Sequence, residues 1–179
     1  MNVRYTVGVN EYKRMDTPEL RAAFQTSLFE DGALNLLYCE MERAIMGAAV
    51  PTEQPLQLEA GKELAADYFC QRREIGVLNI GRGSKDIRFS SSDPKSPARY
   101  YLLSYPAHTD YPTTHATPDD ANTLHLGSPE QANERTLRQF IHPDGIQSCQ
   151  LVMGYTEIKA GSVWNTMPCH THERRTEIY

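Results

Sequence analysis

The sequence has no long apolar run. The most apolar stretch, residues 44–50, is far shorter than the ~20 residues that a membrane-spanning helix needs. The opening residues, MNVRY, lead into no apolar stretch of the signal-peptide type. We therefore expect a soluble, cytoplasmic protein that has no membrane partner.

Positive charge is also scarce. The 179 residues contain 18 Lys and Arg against 23 Asp and Glu, which gives a net charge of −5. The longest basic runs are the pairs Arg72-Arg73 and Arg174-Arg175. Because nucleic-acid binding needs a basic surface, nucleic acid is not expected as a partner.

Cysteine is rare and unpaired in pattern. The four residues Cys39, Cys70, Cys149 and Cys169 include no CxxC pair, and nothing else indicates an oxidising compartment. We expect reduced thiols, most of them packed in strands.

A helix and several short strands can be predicted along the chain. Thr17 is expected to cap a helix over residues 18 to about 29, with Pro18 in its first turn. Runs rich in β-branched and aromatic residues follow, separated by Gly, Pro, Asp and Ser, and they predict strands at residues 35–40, 74–80, 86–89, 99–105, 149–158 and 162–165. The sequence thus indicates a mainly β, antiparallel sandwich or barrel with few helices.

The middle of the chain separates two β units. Residues 104–120 are dense in Pro, Thr, His and Asp, a composition typical of a connection. Residues 128–131 have the form of a helix capping box, while residues 136–141 fit a helix or a strand equally well. We predict a first β unit at 1–105, a connecting segment at 106–139 and a second β unit at 140–179.

Residues that bear metal chemistry are concentrated near the end of the sequence. His170 and His172 are two apart, so on a strand both imidazoles point to one face. The polar residues 173–176 can turn the chain and bring Glu177 back on an adjacent strand. Two His and one carboxylate, with positions left for water or substrate, are typical of a catalytic divalent metal site. Cys169 would point to the opposite face and is interpreted as a core residue.

The sequence around these residues resembles that of a known family. HxH followed by four residues and Glu is the first metal motif of the cupin superfamily. Four further segments carry a closer resemblance: WNTMPCHTHERR at 164–175, MGYTE at 153–157, RREIGVLNIG at 72–81, and PAHT with YP at 106–112. Together they resemble the 5-keto-4-deoxyuronate isomerases across nearly the whole chain.

This resemblance implies a fold, a reaction and a cofactor. The fold would be a two-barrel cupin, a double-stranded β-helix, assembled into hexamers. The enzyme would convert 5-dehydro-4-deoxy-D-glucuronate to 3-deoxy-D-glycero-2,5-hexodiulosonate in the breakdown of pectin and other uronates. It would bind one zinc ion per complete subunit, held by His170, His172 and Glu177. The substrate would be a small uronate-derived sugar acid.

Two differences from the family pattern are expected to matter. Gly81-Arg82-Gly83 joins directly two segments between which the family has further strands of the first barrel. The family also has another histidine ligand downstream of its Glu-aliphatic-Tyr, for which the chain as printed has no counterpart. On this interpretation the two-barrel fold is incomplete here.

The chemistry leaves several roles open. The resemblance identifies no general base for the proton transfer, and Arg72, Arg73, Arg174 and Arg175 are unranked candidates for the substrate carboxylate. The alternatives to the isomerase are another metal-dependent cupin, such as a dioxygenase or sugar isomerase, and an inactive metal-binding fragment.

Overall fold

Strands make up most of the regular structure in the computed structural model, so the mainly β prediction is confirmed. The structure describes residues 1–79, 88–168, 170, 172, 173 and 176–179. Cys169, Arg174 and Arg175, residues 86–87 of one predicted strand and the junction at 81–83 lie outside the described residues. The chain divides into unit 1, Met1–His108, and unit 2, Thr109–Tyr179.

Unit 1 is built around a five-stranded sheet. Its described elements are β1 (Asn2–Arg4), α1 (Val9–Tyr12), α2 (Thr17–Phe24), β2 (Leu34–Cys39), β3 (Ala44–Ala49), β4 (Leu56–Gln57), α3 (Gly61–Leu64), β5 (Arg73–Asn79), β6 (Arg88–Phe89) and β7 (Tyr100–Pro106). The strand order is β1-β2-β3-β7-β5, and β4 pairs with β6 in a small second sheet. Neighbouring strands are antiparallel except β1 and β2.

The core of unit 1 lies between these two sheets. Ile45 and Leu102 of the large sheet and Phe89 of the small sheet are almost completely buried and belong to one cluster. The rings of Phe89 and Tyr100 pack with centroids 5.0 Å apart. Burial of this apolar surface, at roughly 25 cal/mol per Å², is the main force that holds the sheets together.

The central strand β3 was not predicted. Its sequence, AIMGAA, has little β-branched character, and alanine favours helices. Pairing with β2 on one side and β7 on the other overrides this local preference. Gly47 is required there because a Cβ would lie 2.5 Å from Leu36 Cδ2 and 2.7 Å from the Asn35 carbonyl oxygen.

The predicted helix exists but begins and ends differently. Asp16, not Thr17, is the N-cap: its Oδ1 accepts from the Glu19 backbone N–H at 2.9 Å, and Glu19 Oε2 accepts from the Asp16 N–H at 2.8 Å. The helix stops at Phe24, short of the predicted residue 29. Gln25 is already extended, and its carbonyl accepts a hydrogen bond from Arg4 Nη2.

Unit 2 contains a three-stranded antiparallel sheet. Its strands are β8 (Asn122–Leu126), β9 (Arg135–Ile141) and β10 (Met153–Ile158), in the order β10-β9-β8. The open choice at residues 136–141 is thus settled as a strand, and only a short 3₁₀ turn, Pro129–Gln131, follows the capping-box sequence. The predicted strand at 149–158 begins only at Met153, since Ser148 folds back to bond the Leu151 carbonyl at 2.5 Å.

The predicted strand at residues 162–165 is wrong. Val163 donates its backbone N–H to the Ala132 carbonyl at 2.8 Å, but the chain opposite is not extended because Ala132 has a left-handed backbone with φ of 53°. A strand ladder therefore does not form. The segment 106–139, which the sequence indicated as a connection, contains strand β8 and the start of β9. The domain boundaries drawn from the sequence remain a prediction.

None of the helices formed by the described residues has the length and apolar character to cross a bilayer.

Candidate metal site

The three residues of the motif lie together in unit 2. The imidazole rings of His170 and His172 meet edge to face, with centroids 4.9 Å apart and planes at 75°. Nε2 of His172 lies 2.9 Å from Oε1 of Glu177. His170 and Glu177 are exposed, and His172 is partly buried. The structure thus gathers two imidazoles and one carboxylate in one place.

Hydrogen bonds indicate the protonation of each ring. His170 Nδ1 lies 3.1 Å from the Pro168 carbonyl oxygen, which can only accept, so Nδ1 carries the proton. In the neutral ring, Nε2 of His170 then presents its lone pair. His172 directs Nε2 to a carboxylate, which leaves the lone pair of its neutral ring on Nδ1. Each histidine therefore has one nitrogen held by the protein and one nitrogen suited to bind a metal.

Tyr179 also contacts the carboxylate and was not expected from the sequence. Its hydroxyl donates to Glu177 Oε2 at 3.2 Å, so the two carboxylate oxygens contact different side chains. The sequence places an aromatic hydroxyl two residues after Glu177, but only the folded chain shows that it turns back to that glutamate. These contacts orient Glu177 toward His172.

Hydrogen bonds before the motif attach it to the β8–β9 connection. Lys159 donates its backbone N–H to the Glu134 carbonyl at 2.9 Å. Trp164 then donates its indole Nε1–H to the Gln131 carbonyl at 2.9 Å. The chain after β10 is therefore held along the β8–β9 connection up to Trp164, and the histidines follow from a fixed start.

The β8–β9 connection depends on a glycine. Gly127 has φ of +76°, and a Cβ there would overlap the backbone and side-chain oxygens of Asn133. Asn133 is buried, and its Oδ1 accepts from the Ser128 backbone N–H at 2.9 Å. This packing fixes the turn to which Trp164 is bonded.

The motif residues fit zinc in type and proximity, but they do not surround a common point. No group of three or more His, Cys, Asp or Glu side chains in the described part of the chain is arranged to hold a metal ion. The direct contact between His172 and Glu177 occupies both groups. A zinc ion bound by both would have to replace this hydrogen bond, and imidazole with carboxylate is a donor set that zinc accepts.

The predicted strand geometry of the motif is wrong for the described residues. His170, His172 and residues 176–179 lie outside any strand, so a hairpin does not bring Glu177 to the histidines.

The other candidate residues lie elsewhere. Arg72 is exposed, and Arg73 is half-buried at the start of β5 in unit 1. Of the described residues Cys39, Cys70 and Cys149, only Cys39 lies in a strand, so the expectation that most cysteines pack in strands is wrong for these three.

A mainly β fold with adjacent imidazole and carboxylate groups near residue 177 defines a candidate metalloprotein. Comparison with known proteins makes this specific: residues 84–179 match the model of the KduI/IolB family. The chain belongs to this family.

Several relatives that share one name align over the whole chain. They are called 4-deoxy-L-threo-5-hexosulose-uronate ketol-isomerase, in Caldicellulosiruptor bescii at 42% identity and in Shouchella clausii and Lachnoclostridium phytofermentans at 43% each. Each alignment covers 100% of this chain and 74% of the relative. Each alignment spans 203 residues, whereas this chain has 179 residues. At least 24 positions of each relative therefore have no counterpart here.

Proposed function

We propose that this protein is a zinc-dependent ketol-isomerase that converts 5-dehydro-4-deoxy-D-glucuronate to 3-deoxy-D-glycero-2,5-hexodiulosonate in uronate catabolism. The observation that carries the proposal is the whole-chain similarity to relatives named 4-deoxy-L-threo-5-hexosulose-uronate ketol-isomerase. The adjacency of His170, His172 and Glu177 supports the metal assignment. We further propose cupin barrels, a cytoplasmic location and a hexamer on the strength of the family resemblance.

The reaction explains why such a donor set is useful. A ketol isomerisation moves a proton between neighbouring carbons through an enediolate, so negative charge develops on oxygen. Bound zinc would supply a Lewis acid for that charge. His170 would hold the ion through Nε2, the nitrogen that its hydrogen bond to Pro168 leaves unprotonated. His172 would hold it once zinc replaces the contact between its ring and Glu177.

In the proposed site, Glu177 has a different role from the two histidines. Its Oε2 accepts from Tyr179, so this oxygen is oriented by the protein while Oε1 faces His172. The carboxylate would reduce the net charge of a divalent ion held with two neutral imidazoles. A separate group has to transfer the proton, and we assign that role to none of these three residues.

Metal removal and replacement test the proposal. The purified protein is stripped with a chelator, and isomerisation of 5-dehydro-4-deoxy-D-glucuronate is followed after adding back zinc or iron(II), with dissolved oxygen recorded in parallel. We expect loss of activity on chelation and recovery with zinc without oxygen uptake. Recovery only with iron, with oxygen consumed, would favour the dioxygenase alternative; turnover unaffected by chelation would refute zinc dependence.

A further inference from the structure

A half-buried arginine in unit 1 donates its hydrogen bonds, among the residues that the structure describes, to uncharged groups. Arg73 donates from Nε to Ser104 Oγ at 3.1 Å and from Nη2 to the Ser104 carbonyl at 3.0 Å and the Arg43 carbonyl at 2.6 Å. Ser104 is buried, and its hydroxyl in turn donates to the Glu74 carbonyl at 2.6 Å. The guanidinium is thus fixed at the point where β5, β7 and the β2–β3 turn meet.

No carboxylate neutralises this guanidinium within the described ranges. Burial lowers the pKa of Arg73, and the neighbouring positive charge of Arg43 lowers it further. Tyr38 and Cys70 act in the opposite direction and raise it. Neither arginine belongs to an ion pair formed by described residues. An arginine taken out of water is normally paired with an anion, and here a second cation, Arg43, acts on it instead.

The second cation is presented by an unusual turn. Glu42 and Arg43, between β2 and β3, both have left-handed backbones, with φ of 57° and 52°. Residues other than glycine rarely adopt this conformation, because their Cβ crowds the backbone. The turn directs the Arg43 carbonyl to Arg73, while Arg43 itself is exposed. An approaching ligand therefore has access to this side of the pair.

The guanidinium of Arg73 keeps donors for such a ligand. Its Nε and Nη2 are bonded as described, whereas Nη1 has no acceptor among the residues that the structure describes. The two N–H groups on Nη1 suit the oxygens of a planar carboxylate, and the positive charge of Arg43 lies close enough to act on this guanidinium.

We propose that Arg73 and Arg43 form a binding site for a small organic carboxylate in unit 1. The site is separate in residues from the cluster of His170, His172 and Glu177, and it does not depend on the proposed isomerase activity. Arg73, already oriented by Ser104, supplies the fixed half of the site. Arg43 supplies the exposed half.

A pair of related sugars tests the proposal on the full chain. Glucuronate and glucose differ by the carboxylate, and calorimetric titration at low salt measures whether either binds. The sharpest variant is Arg43→Gly, because glycine suits φ of 52° and keeps the carbonyl that Arg73 bonds. The matched control is Arg99→Gln, an exposed arginine of the same unit that lies 3.9 Å from Asp31.

We expect saturable binding of glucuronate but not glucose, weakened about tenfold or more by Arg43→Gly and unchanged by Arg99→Gln. Arg73→Lys keeps the charge but loses the forked donors, and it should weaken binding by at least as much as Arg43→Gly does. If wild type fails to distinguish glucuronate from glucose, or if the folded Arg43→Gly variant binds glucuronate as tightly as wild type, the site is refuted.

Discussion

Nε2 of His172 lies 2.9 Å from Oε1 of Glu177, a residue five positions later in the chain. The contact folds the end of the motif back on itself, although His172 and Glu177 both lie outside the strands. It also leaves the lone pair of the neutral His172 ring on Nδ1. The position of the carboxylate and the tautomer of the ring are therefore set by the same contact.

Replacing Glu177 with glutamine should separate the loss of the carboxylate from the loss of the hydrogen bond that sets the His172 tautomer. Glu177→Gln keeps a side-chain oxygen that can accept from His172 but loses the negative charge. We expect the fold to be retained and the zinc affinity to fall at least about tenfold, because the amide is a poorer ligand for zinc than a carboxylate. Competition with a zinc-binding dye measures the affinity, and Glu173→Gln, an exposed neighbour, is the control. Equal zinc affinity of wild type and Glu177→Gln would exclude Glu177 as a ligand.

Gly127→Ala should destabilise unit 2 more than Gly161→Ala does. Both glycines have positive φ, +76° and +87°, so both substitutions incur backbone strain of roughly 1–2 kcal/mol. Only Gly127 faces Asn133, whereas nothing lies within 4 Å of a Cβ at Gly161. We expect Gly127→Ala to lower the free energy of unfolding by about 1–3 kcal/mol more. Urea unfolding measures the difference, and equal losses would show that Asn133 relaxes freely.

The sequence predicted those strands whose local preference agrees with their environment. Strands β2, β5 and β7 begin within one residue of their predicted starts, because their β-branched and aromatic residues favour the pleated surface they occupy. Strand β3 was missed because its alanines give no such signal, and β8 because its exposed residues bury no face.

The candidate site was predictable in composition but not in shape. The spacing of His170, His172 and Glu177 indicated that they would meet, and their side chains do lie together. The assumed hairpin was wrong because an HxH spacing fits a strand without requiring one. The contacts of Trp164 with Gln131 and of Tyr179 with Glu177 depend on tertiary packing that no local pattern encodes.

Acid should weaken the contact between β9 and β10. Hydrogen bonds from Arg138 and Lys159 lower the pKa of Glu157 below its ordinary value of 4.5. A depressed carboxyl pKa stabilises the fold above the pKa of the unfolded chain, and this stabilisation is lost as the pH falls through the lower, folded pKa. Unfolding followed from pH 7 to pH 3 should therefore show a steeper loss in wild type than in Glu157→Gln. Parallel pH profiles would show that Glu157 contributes nothing to the acid response.

Thiol modification should leave activity intact. Burial raises the pKa of Cys39 and of Cys70, so both are mainly protonated at neutral pH and should react slowly with iodoacetamide in the folded protein. The proposed zinc ligands include no thiol, so turnover should follow zinc content and not the extent of alkylation. Mass spectrometry of the alkylated protein beside its activity checks this. If the folded protein lost activity in proportion to alkylation, this prediction would be contradicted. If that loss followed modification of Cys169 alone, a role for Cys169 would have to be considered again.

The zinc content of the His170→Ala/His172→Ala double variant tests the central claim most directly. Elemental analysis of the purified wild-type protein should give close to one zinc per chain, and the double variant should lose nearly all of it together with isomerase activity. His115→Ala, an exposed histidine outside the motif, serves as the control and should keep both. Zinc content and turnover that remain at the wild-type level in the folded double variant would contradict the assignment of these residues as metal ligands.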